Sequence, residues 1–358
     1  MGIKEGKVLP KKQAKRVVEQ GEFVFAAVGL AHGHIQGMCN GLIAAGAELK
    51  YVYDEDEQKV AAFCEKFPNV RVAETLEQIL SDEDIKLVAG AAIPSERCAL
   101  GVEVMEAGKD YFTAKTPFTT LEQLEIARAK VKETGQKYIV HYSERTTNES
   151  AIYAGQLIEE GAIGRVLQVI GFGPHRLSPS ARDDWFFQKE KYGGILCDIG
   201  SHQADQFLHY TGATDATVTT SRVANYNHPQ YPELEDFGEA SLLGNNGATN
   251  YYRIDWFTPD GLSSWGDSRI FLLGTEGSME LRKNIDIGRA THGSHLYLAN
   301  HEGETYYDCF GKVGRPFFGE LILDCLNRTE NAMTQEHAFK ATELSLKAQS
   351  QAVVVEGL

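Results

Sequence analysis

The segment FVFAAVGLAHGH at residues 23–34 places the tightest constraint on how this chain can fold. Its apolar run leads into a glycine and a short turn, and a helical pattern follows over residues 36–46. A continuous apolar run predicts a buried parallel strand, so the turn would lie at the N-terminus of a helix. Unpaired N–H groups and the helix dipole make such a junction a site for an anion. The residues predicted to form this site are Gly29, Ala31, His32, Gly33 and His34.

The turn matches the fingerprint of dinucleotide-binding proteins only in part, because that fingerprint asks for glycine at 29, 31 and 34 and only Gly29 is present. An ordinary strand–turn–helix is the alternative. Asp54, which ends the second predicted strand, favours the dinucleotide, since an acid about 20 residues further on can accept both ribose hydroxyls. More acids at 55–57 would repel a 2′-phosphate, so we predict NAD rather than NADP. The alternative for these acidic residues is a solvated loop without a role in cofactor binding. We also assign to the cofactor site Ala92, which ends the third predicted strand at residues 85–92, and Pro94 just after it.

The pattern of strand and helix signals changes partway along the 358 residues. Over residues 23–147 strands alternate with helices, which predicts right-handed crossovers and a doubly wound parallel sheet. Over residues 148–358 successive strands separated by turn signals predict an α+β domain built on a large, mostly antiparallel open sheet. The predicted fold class is therefore α/β with two domains. Residues 1–22 form an N-terminal extension with a docking helix at 11–20, and a closing helix at 335–354 packs back on the first domain.

The net charge of −15 bears on the partners of the chain. A nucleic acid or an anionic membrane would need a basic face, so we predict neither as a partner. No apolar run reaches 18 residues, and the polar first 22 residues lack the apolar core of a signal peptide. The six cysteines lie far apart without a Cys-x-x-Cys pair, which indicates reduced thiols and predicts a cytoplasmic protein.

Two motifs carry a resemblance to a known family. TAKTPFTTL at residues 113–121 is similar to the Glu-Lys-Pro segment of the Gfo/Idh/MocA oxidoreductases, and GGILCDIGSH at 193–202 resembles their Gly-Gly-x-x-x-Asp-x-Gly-x-His motif. The resemblance implies an N-terminal Rossmann domain that binds NAD or NADP, a homo-oligomer such as a dimer or tetramer, and action on sugars, cyclitols and their derivatives. It also implies that Lys115, Asp198 and His202 are catalytic, with Lys115 reaching the cofactor too. Two departures affect this lysine: Ala114 replaces the glutamate, and Pro117 comes one position late.

The three catalytic candidates suit the oxidation of an alcohol, which must lose its O–H proton as the hydride leaves. A histidine serves as the base, because its unperturbed pKa of about 6.5 lies near working pH, so His202 takes that role. Lys115, with an unperturbed pKa of about 10.4, would polarise the substrate oxygen unless burial lowers its pKa. Asp198 lies four residues before His202, so on a helical turn it could orient the imidazole or hold a substrate hydroxyl, and we assign it the orienting role. For His202 alone, a satisfied core histidine is the alternative.

Residues 173–192, just upstream of Asp198, mix polar groups with aromatic rings, which suits a sugar. The predicted substrate contacts are His175, Arg176 and Trp185 in this segment, with Tyr142 and Arg145 after the fifth strand; a structural role is the alternative for each. The histidine pairs at 32/34 and 292/295 have the spacing of metal ligands but no third ligand nearby in the sequence, so we predict no metal.

The leading functional hypothesis is an NAD-dependent dehydrogenase that oxidises a secondary alcohol of a sugar, glycoside or cyclitol. The resemblance also admits a glycosidase that keeps its NAD bound and acts through a transient 3-keto intermediate. A non-catalytic, NAD-sensing regulatory protein of the same fold is a second alternative. The presence of Lys115, Asp198 and His202 together counts against the regulatory protein.

Overall fold

Two β-sheets, of six and ten strands, organise residues 3–13 and 15–356, which are the parts of the chain that the computed structural model describes. Up to residue 147 the strands and helices are, in chain order, β1 (Lys4–Glu5), β2 (Val24–Val28), α1 (His34–Ala44), β3 (Glu48–Tyr53), α2 (Glu57–Lys66), β4 (Arg71–Val72), α3 (Leu76–Leu80), β5 (Ile85–Gly90), α4 (Arg97–Glu106), β6 (Asp110–Ala114), α5 (Leu121–Thr134), β7 (Tyr138–His141) and α6 (Ser143–Thr146).

The six-stranded sheet is parallel throughout, in the order β4–β3–β2–β5–β6–β7. Its central strand β2 is buried along its whole length, as its continuous apolar sequence predicts. The strand order reverses between β2 and β5, which opens a crevice at the carboxyl ends of these strands. The predicted doubly wound parallel sheet is confirmed.

The second part of the chain builds the larger sheet. Its elements are α7 (Glu149–Glu159), β8 (Val166–Pro174), α8 (Lys189–Tyr192), α9 (Ile195–Asp198), α10 (Gly200–Thr211), β9 (Ala216–Ala224), β10 (Phe237–Gly244), β11 (Thr249–Asp255), β12 (Arg269–Gly274), β13 (Gly277–Arg282), β14 (His295–Asn300), β15 (Gly303–Asp308), α11 (Phe317–Asn327), α12 (Gln335–Ser350) and β16 (Val353–Val355). The strand order is β1–β15–β14–β13–β12–β8–β11–β10–β9–β16. Neighbours pair antiparallel except β1 with β15, β8 with β11 and β9 with β16. The predicted large, mostly antiparallel sheet is therefore confirmed.

One face of the ten-stranded sheet packs on helices, and the opposite face is open. Helices α10 and α12 contact β8, β9 and β11 on the covered side. Successive side chains of a strand alternate between the two faces. Leu242 and Leu272 are accordingly buried, whereas Leu243, Phe271 and Leu273 are 45%, 39% and 49% exposed. The open face is therefore apolar over part of its area.

Two predicted helices differ from the structure. The docking helix predicted at residues 11–20 is wrong, because none of its described residues is helical: Val17 donates its N–H to the Ala45 carbonyl (2.9 Å) and Val18 is buried beside the end of α1. Residue 14 of that prediction lies outside the described residues. The closing helix ends at Ser350 rather than at residue 354, and Val353–Val355 form a strand beside β9 instead. Three consecutive β-branched residues favour a strand over a helix.

A buried ion cluster joins the end of the parallel sheet to the helices of the second part. Arg145 of α6 donates two hydrogen bonds of 2.8 Å to the carboxylate of Asp205 in α10. The Nε2 atom of His337 in α12 lies 2.8 Å from the same carboxylate. Helix α12 also contacts α5 and β7 of the first part. The cluster therefore fixes how the two parts of the chain dock.

The structure also shows whether any helix could cross a membrane and whether the cysteines form disulfides. None of the helices within the described residues is both long enough and apolar enough to span a bilayer. All six cysteines are free thiols in that part of the chain. The cytoplasmic location stays a prediction.

Replacing Asp205 by asparagine should destabilise the protein strongly, because it leaves the Arg145 guanidinium buried without a counter-ion. We expect Asp205→Asn to lower the free energy of unfolding by about 3–5 kcal/mol, measured as a fall in the urea midpoint followed by circular dichroism. Lys12→Gln removes a more exposed ion pair with Glu320 (2.6 Å) and should shift the midpoint far less. Equal shifts in the two variants would contradict this role for Asp205.

Candidate active site

The turn after β2 is shaped by a close approach of backbones. Gly29 has a φ of +67°, and a Cβ there would lie 2.8 Å from the Cβ of Ala92, so only glycine fits this position without strain. Helix α1 begins at His34, and its N-cap residue Gly33 has no side chain to cap the helix. The first N–H groups of the helix make only local hydrogen bonds of 3.2–3.3 Å, one of them to the Nδ1 atom of His32. A phosphate can compete for these donors.

Asp54 lies at the end of β3 beside this turn. Its carboxylate accepts the N–H groups of Leu30 and Asp56, the second at 2.9 Å. The remaining lone pairs of the carboxylate can accept the ribose hydroxyls of a nucleotide in the crevice. Pro94 is buried and begins the turn that follows β5. The residues present therefore fit a dinucleotide, with backbone donors for its phosphates and an acid for its ribose.

Arg97 connects the loops that follow β5 and β6. It is fully buried, and its Nε donates to the carbonyl of Ala92 (2.7 Å). Its Nη1 donates to the carbonyls of Ala114 (3.2 Å), Lys115 (2.6 Å) and Thr116 (2.9 Å). The peptide bond between Lys115 and Thr116 is cis. Hydrogen bonds to three successive carbonyls thus position the backbone of Lys115.

Lys115 and Asp198 form a buried ion pair across the crevice. The ammonium also lies 3.2 Å from the carbonyl oxygen of Asp198. Burial raises the pKa of a carboxyl group, but Lys115 outweighs it and lowers the pKa of Asp198 to about 2, so this group is ionised at pH 7. Within the described residues Asp198 makes no hydrogen bond to His202, and its charged partner is the Lys115 ammonium. Of the two roles that the sequence allowed for Asp198, orientation of the imidazole has no contact to support it.

His202 is buried in the same site. Its Nδ1 atom has no hydrogen-bond partner in the described part of the chain. Burial lowers the pKa of His202 to about 3, with Glu144 raising it and Lys115 lowering it further. The imidazole is therefore neutral at pH 7, and a ring nitrogen can accept a proton.

A second buried lysine–carboxylate pair, which was not predicted from the sequence, lines the same site. Lys283, just after β13, contacts the carboxylate of Glu144 in α6 and lies 3.0 Å from the Oε1 atom of Gln206. Burial raises and Lys283 lowers the pKa of Glu144, to about 2. The Nε2 atom of His175 is 3.8 Å from Glu144, and burial lowers the pKa of that histidine to about 4. Glu144 comes three residues after the last parallel strand, and this position could have predicted that it lies at the site. Nothing in the sequence around Lys283 predicts that it does.

These groups surround a cavity of about 380 Å³ between the ends of the parallel strands and the second sheet. The indole rings of Trp256 and Trp265 lie beside His175, with ring centres 5.5 and 4.6 Å from that of the imidazole. The predicted site residues that line the cavity are His32, His34, Lys115, His175, Arg176, Asp198 and His202. The unpredicted polar residues of the lining include Ser143, Glu144, Asn148, Arg182, Lys283 and Asn284.

The other predicted substrate contacts are engaged elsewhere. The hydroxyl of Tyr142 hydrogen-bonds to α12, and Arg145 belongs to the buried cluster with Asp205. Trp185 is buried, with its ring centre 6.5 Å from that of His32. Arg176 lines the cavity, but its guanidinium donates to backbone carbonyls of a neighbouring loop. A contact of these four residues with substrate stays a prediction.

Asp308 lies beside His292 and His295 and provides a third possible metal ligand, which the sequence did not indicate. Ligand atoms of these three residues lie within 4.8 Å of one another. Both ring nitrogens of His295 already have partners, the Tyr306 hydroxyl (2.7 Å) and the His292 carbonyl (2.9 Å). Asp308 pairs with Lys312 (2.7 Å). A metal ion would have to displace these contacts, so they disfavour ligation at this cluster.

Two family profiles match the chain in succession. The profile described as "Oxidoreductase family, NAD-binding Rossmann fold" matches residues 25–142. The profile of the GFO/IDH/MocA C-terminal domain matches residues 152–280. The two profiles together span more than half of the chain, and the boundary between them falls between the two sheets.

Several curated proteins are similar in sequence. A levoglucosan dehydrogenase of Pseudarthrobacter phenanthrenivorans is 27% identical over 210 residues, which are 54% of this chain and 54% of that protein. A D-xylose dehydrogenase of Paenarthrobacter nicotinovorans is 28% identical over 153 residues, covering 41% of this chain and 39% of that protein. The match thus spans about half of these relatives or less. The scyllo-inositol 2-dehydrogenase (NAD(+)) of Bacillus subtilis is 26% identical over 267 residues, covering 73% of this chain and 72% of that protein.

Solved structures agree with the fold. A crystal structure from Erwinia carotovora atroseptica SCRI1043 is 53% identical, covers 93% of this chain and 100% of its own, and superposes with a TM-score of 0.91. Levoglucosan dehydrogenase in complex with NADH, at 17% identity, covers 92% of this chain and 97% of its own with a TM-score of 0.75. The chain therefore belongs to the Gfo/Idh/MocA family of oxidoreductases, and its parallel sheet is the NAD-binding Rossmann fold of that family.

Proposed function

We propose that this protein is an NAD-dependent dehydrogenase that oxidises a secondary alcohol of a sugar, glycoside or cyclitol to a ketone. The observation that carries the proposal is the ion pair of Lys115 with Asp198 in one cavity with the neutral His202. This cavity lies at the carboxyl ends of the parallel strands, where doubly wound sheets bind their ligands. The names of the levoglucosan, xylose and scyllo-inositol dehydrogenases support the class of substrate.

The oxidation separates a proton from the alcohol oxygen and a hydride from the carbon. NAD, when bound, supplies the hydride acceptor. Lys115 donates a hydrogen bond to the alcohol oxygen and stabilises the negative charge that develops there. His202 accepts the proton, because its buried ring is neutral and has a nitrogen without a partner in the described residues. Asp198 holds the ammonium in place and balances its charge.

Asp54 supports NAD over NADP. A 2′-phosphate in the crevice would meet its carboxylate and lose the hydrogen bonds that the free ribose hydroxyls make. Lys59 of α2 is the basic residue beside this acid, but its ammonium lies 2.9 Å from Asp183 and 3.8 Å from Asp56. These contacts leave it poorly placed to attract a phosphate.

The two alternative functions make different demands on the same cavity. A glycosidase that re-reduces its own keto intermediate would use the same proton acceptor, but it would consume a glycoside without accumulating NADH. A regulatory protein that only senses NAD would need neither the buried ion pair nor the neutral imidazole. The arrangement of Lys115, Asp198 and His202 therefore favours an enzyme.

Replacing His202 should abolish most turnover without weakening cofactor binding, since His202 comes from α10 and not from the turn after β2. We expect His202→Asn to lower kcat about 10²–10⁴-fold, followed as NADH absorbance with a panel of sugars and cyclitols. The dissociation constant of NAD, measured by calorimetry, should stay at the wild-type value. His301 is exposed, so His301→Asn is the matched control. Full turnover by His202→Asn would exclude His202 as the base, and substrate loss without NADH in the wild type would favour the glycosidase.

The same histidine predicts an unusual pH profile. Burial lowers the pKa of His202 to about 3, and a lowered pKa keeps the imidazole unprotonated, and therefore available to accept a proton, as the pH falls. The value of kcat/KM should accordingly stay level between pH 8 and about pH 6, where an ordinary histidine would already be protonating, and decline only at lower pH. A fall in kcat/KM between pH 7 and pH 6 that is absent in His202→Asn would show that the pKa of His202 is not lowered.

The open face of the ten-stranded sheet should form the contact between copies in a homo-oligomer, because exposed apolar sheet faces mark association sites. Phe271→Glu combined with Leu273→Glu places charge on that face and should convert a dimer or tetramer into monomers in sedimentation at micromolar concentration. Val72, which is exposed on the other sheet, provides the control Val72→Glu. A wild-type protein that sediments as a monomer would contradict the proposed assembly.

A further inference from the structure

The cavity of the candidate active site holds more positive than negative charge. The cationic side chains of its lining are Lys115, Arg176, Arg182 and Lys283, and the carboxylates are Glu144 and Asp198. Each lysine is paired with one of the carboxylates. The four histidines of the lining are neutral at pH 7, because burial lowers their pKa values. The excess positive charge therefore belongs to the two arginines.

Arg176 is committed to the protein itself. Its Nη2 donates to the carbonyls of Pro259 (2.9 Å), Leu262 (2.5 Å) and Ser264 (3.0 Å). Its Nε lies 3.5 Å from the carboxylate of Asp260. The guanidinium of Arg176 thus holds the loop after β11. Arg182 is therefore the arginine of the lining that is left to bind an anion.

Arg182 is fixed in orientation but forms no ion pair of its own among the described residues. Its Nε donates to the Leu177 carbonyl (3.0 Å), and its guanidinium lies 4.3 Å from the ring centre of Phe186 and 5.2 Å from that of Trp256. The adjacent Asp183 pairs with Lys59 instead (2.9 Å). Within the described residues no carboxylate oxygen lies within 4.0 Å of the Arg182 guanidinium, and the negative charge that acts on it from further away is that of Asp198, which already pairs with Lys115. Stacking uses the faces of the guanidinium, so the edge that carries its Nη groups stays open.

We infer that Arg182 binds a carboxylate of the substrate, so the substrate is a polyhydroxylated acid such as a uronate or an aldonate. The inference rests on the proposed function and narrows its substrate class. A guanidinium held by stacking offers two parallel N–H donors that match the geometry of a carboxylate. A partly buried cation without an ion pair of its own is unfavourable, and a carboxylate supplies that partner where a neutral sugar does not.

Other groups of the lining provide for the hydroxyls of such an acid. The Trp256 Nε1, Ser268 Oγ and His202 Nδ1 atoms are buried and have no hydrogen-bond partner among the described residues. Buried polar atoms of this kind are normally satisfied, and substrate hydroxyls would satisfy them. The site thus combines one anion-binding group with several sites for hydroxyl groups.

The pyrophosphate of the cofactor is the other anion that Arg182 could meet, since Trp185 of the same segment lies 6.5 Å from the ring of His32 in the turn after β2. Phe186 and Trp256, the two rings that orient Arg182, line the substrate cavity together with His202 and Lys283. His32 and His34 of the turn after β2 line the same cavity, so the dissociation constant of NAD in an Arg182 variant decides between the two anions.

The test compares sugars with the acids that differ from them at one carbon: D-glucose with D-glucuronate, and D-galactose with D-galacturonate. Binding in the presence of NAD is measured by calorimetry and turnover as NADH. The wild type should favour the acid of each pair, and Arg182→Gln should weaken acid binding and raise its KM about 10- to 100-fold. The KM values of the neutral sugars should change far less than those of the acids, and the dissociation constant of NAD should stay near its wild-type value. Arg182→Lys keeps the charge but not the paired donors, so its KM for the acids should lie between the values of the wild type and of Arg182→Gln.

Arg253→Gln is the matched control, because Arg253 also stacks on an aromatic ring, Phe172 at 5.2 Å, but pairs with Asp255 (3.2 Å). It should leave acid binding unchanged. Equal binding of an acid and its neutral partner, including no binding of either, would overturn the inference. So would a preference for acids that persists in Arg182→Gln, or a loss of NAD affinity there in place of acid affinity. Oxidation of the neutral sugars in preference to the matching acids would overturn the inference and leave the proposed function intact. Arg182-dependent acid binding without NADH would support the inference and reject that function.

Discussion

The hydrogen bonds from buried Arg97 to four backbone carbonyls hold together the edge of the parallel sheet on which the site is built. One acceptor belongs to Ala92, which packs against Gly29 in the turn after β2, and another to Lys115. Burial lowers the pKa of Arg97 to about 10, so the cation persists at pH 7. A buried charge is tolerable only while these carbonyls solvate it. The cofactor turn and the active-site lysine therefore keep a fixed relative position.

Buried charge also ties the two sheets to each other. Lys115 follows a strand of the parallel sheet and pairs with Asp198 of α9, while Glu144 follows the last parallel strand and pairs with Lys283 of the second sheet. The cluster of Arg145 with Asp205 repeats the arrangement nearby. Separating the sheets would leave each of these charges without its partner, which costs far more than losing an exposed pair. The cavity thus forms with its polar groups already oriented.

Local patterns predicted those parts of the structure that local chemistry controls. The strands of the first sheet are recognisable because a strand buried on both faces, such as β2, must be apolar throughout. The motif residues Lys115, Asp198 and His202 do meet in one cavity. Lys283 and Arg182 could not be predicted, because their positions depend on how the second sheet docks on the first. The spacing of apolar residues along the sequence gives no information on that docking. The two-residue strand β1 is too short to show an alternating pattern at all.

The ten-stranded sheet ends at both edges in very short strands, β1 with two residues and β16 with three. A long, unpaired edge strand is a template to which another chain can add through its backbone, and this is a common route to aggregation. Strands of this length offer little such template, and β1 also carries the charged side chains of Lys4 and Glu5. The two short strands cover only part of each edge, because β16 pairs with Arg222–Ala224 of the nine-residue β9 and β1 with two residues of β15. Residues 216–221 of β9 therefore form the longer open edge, which should matter most when the protein refolds at high concentration.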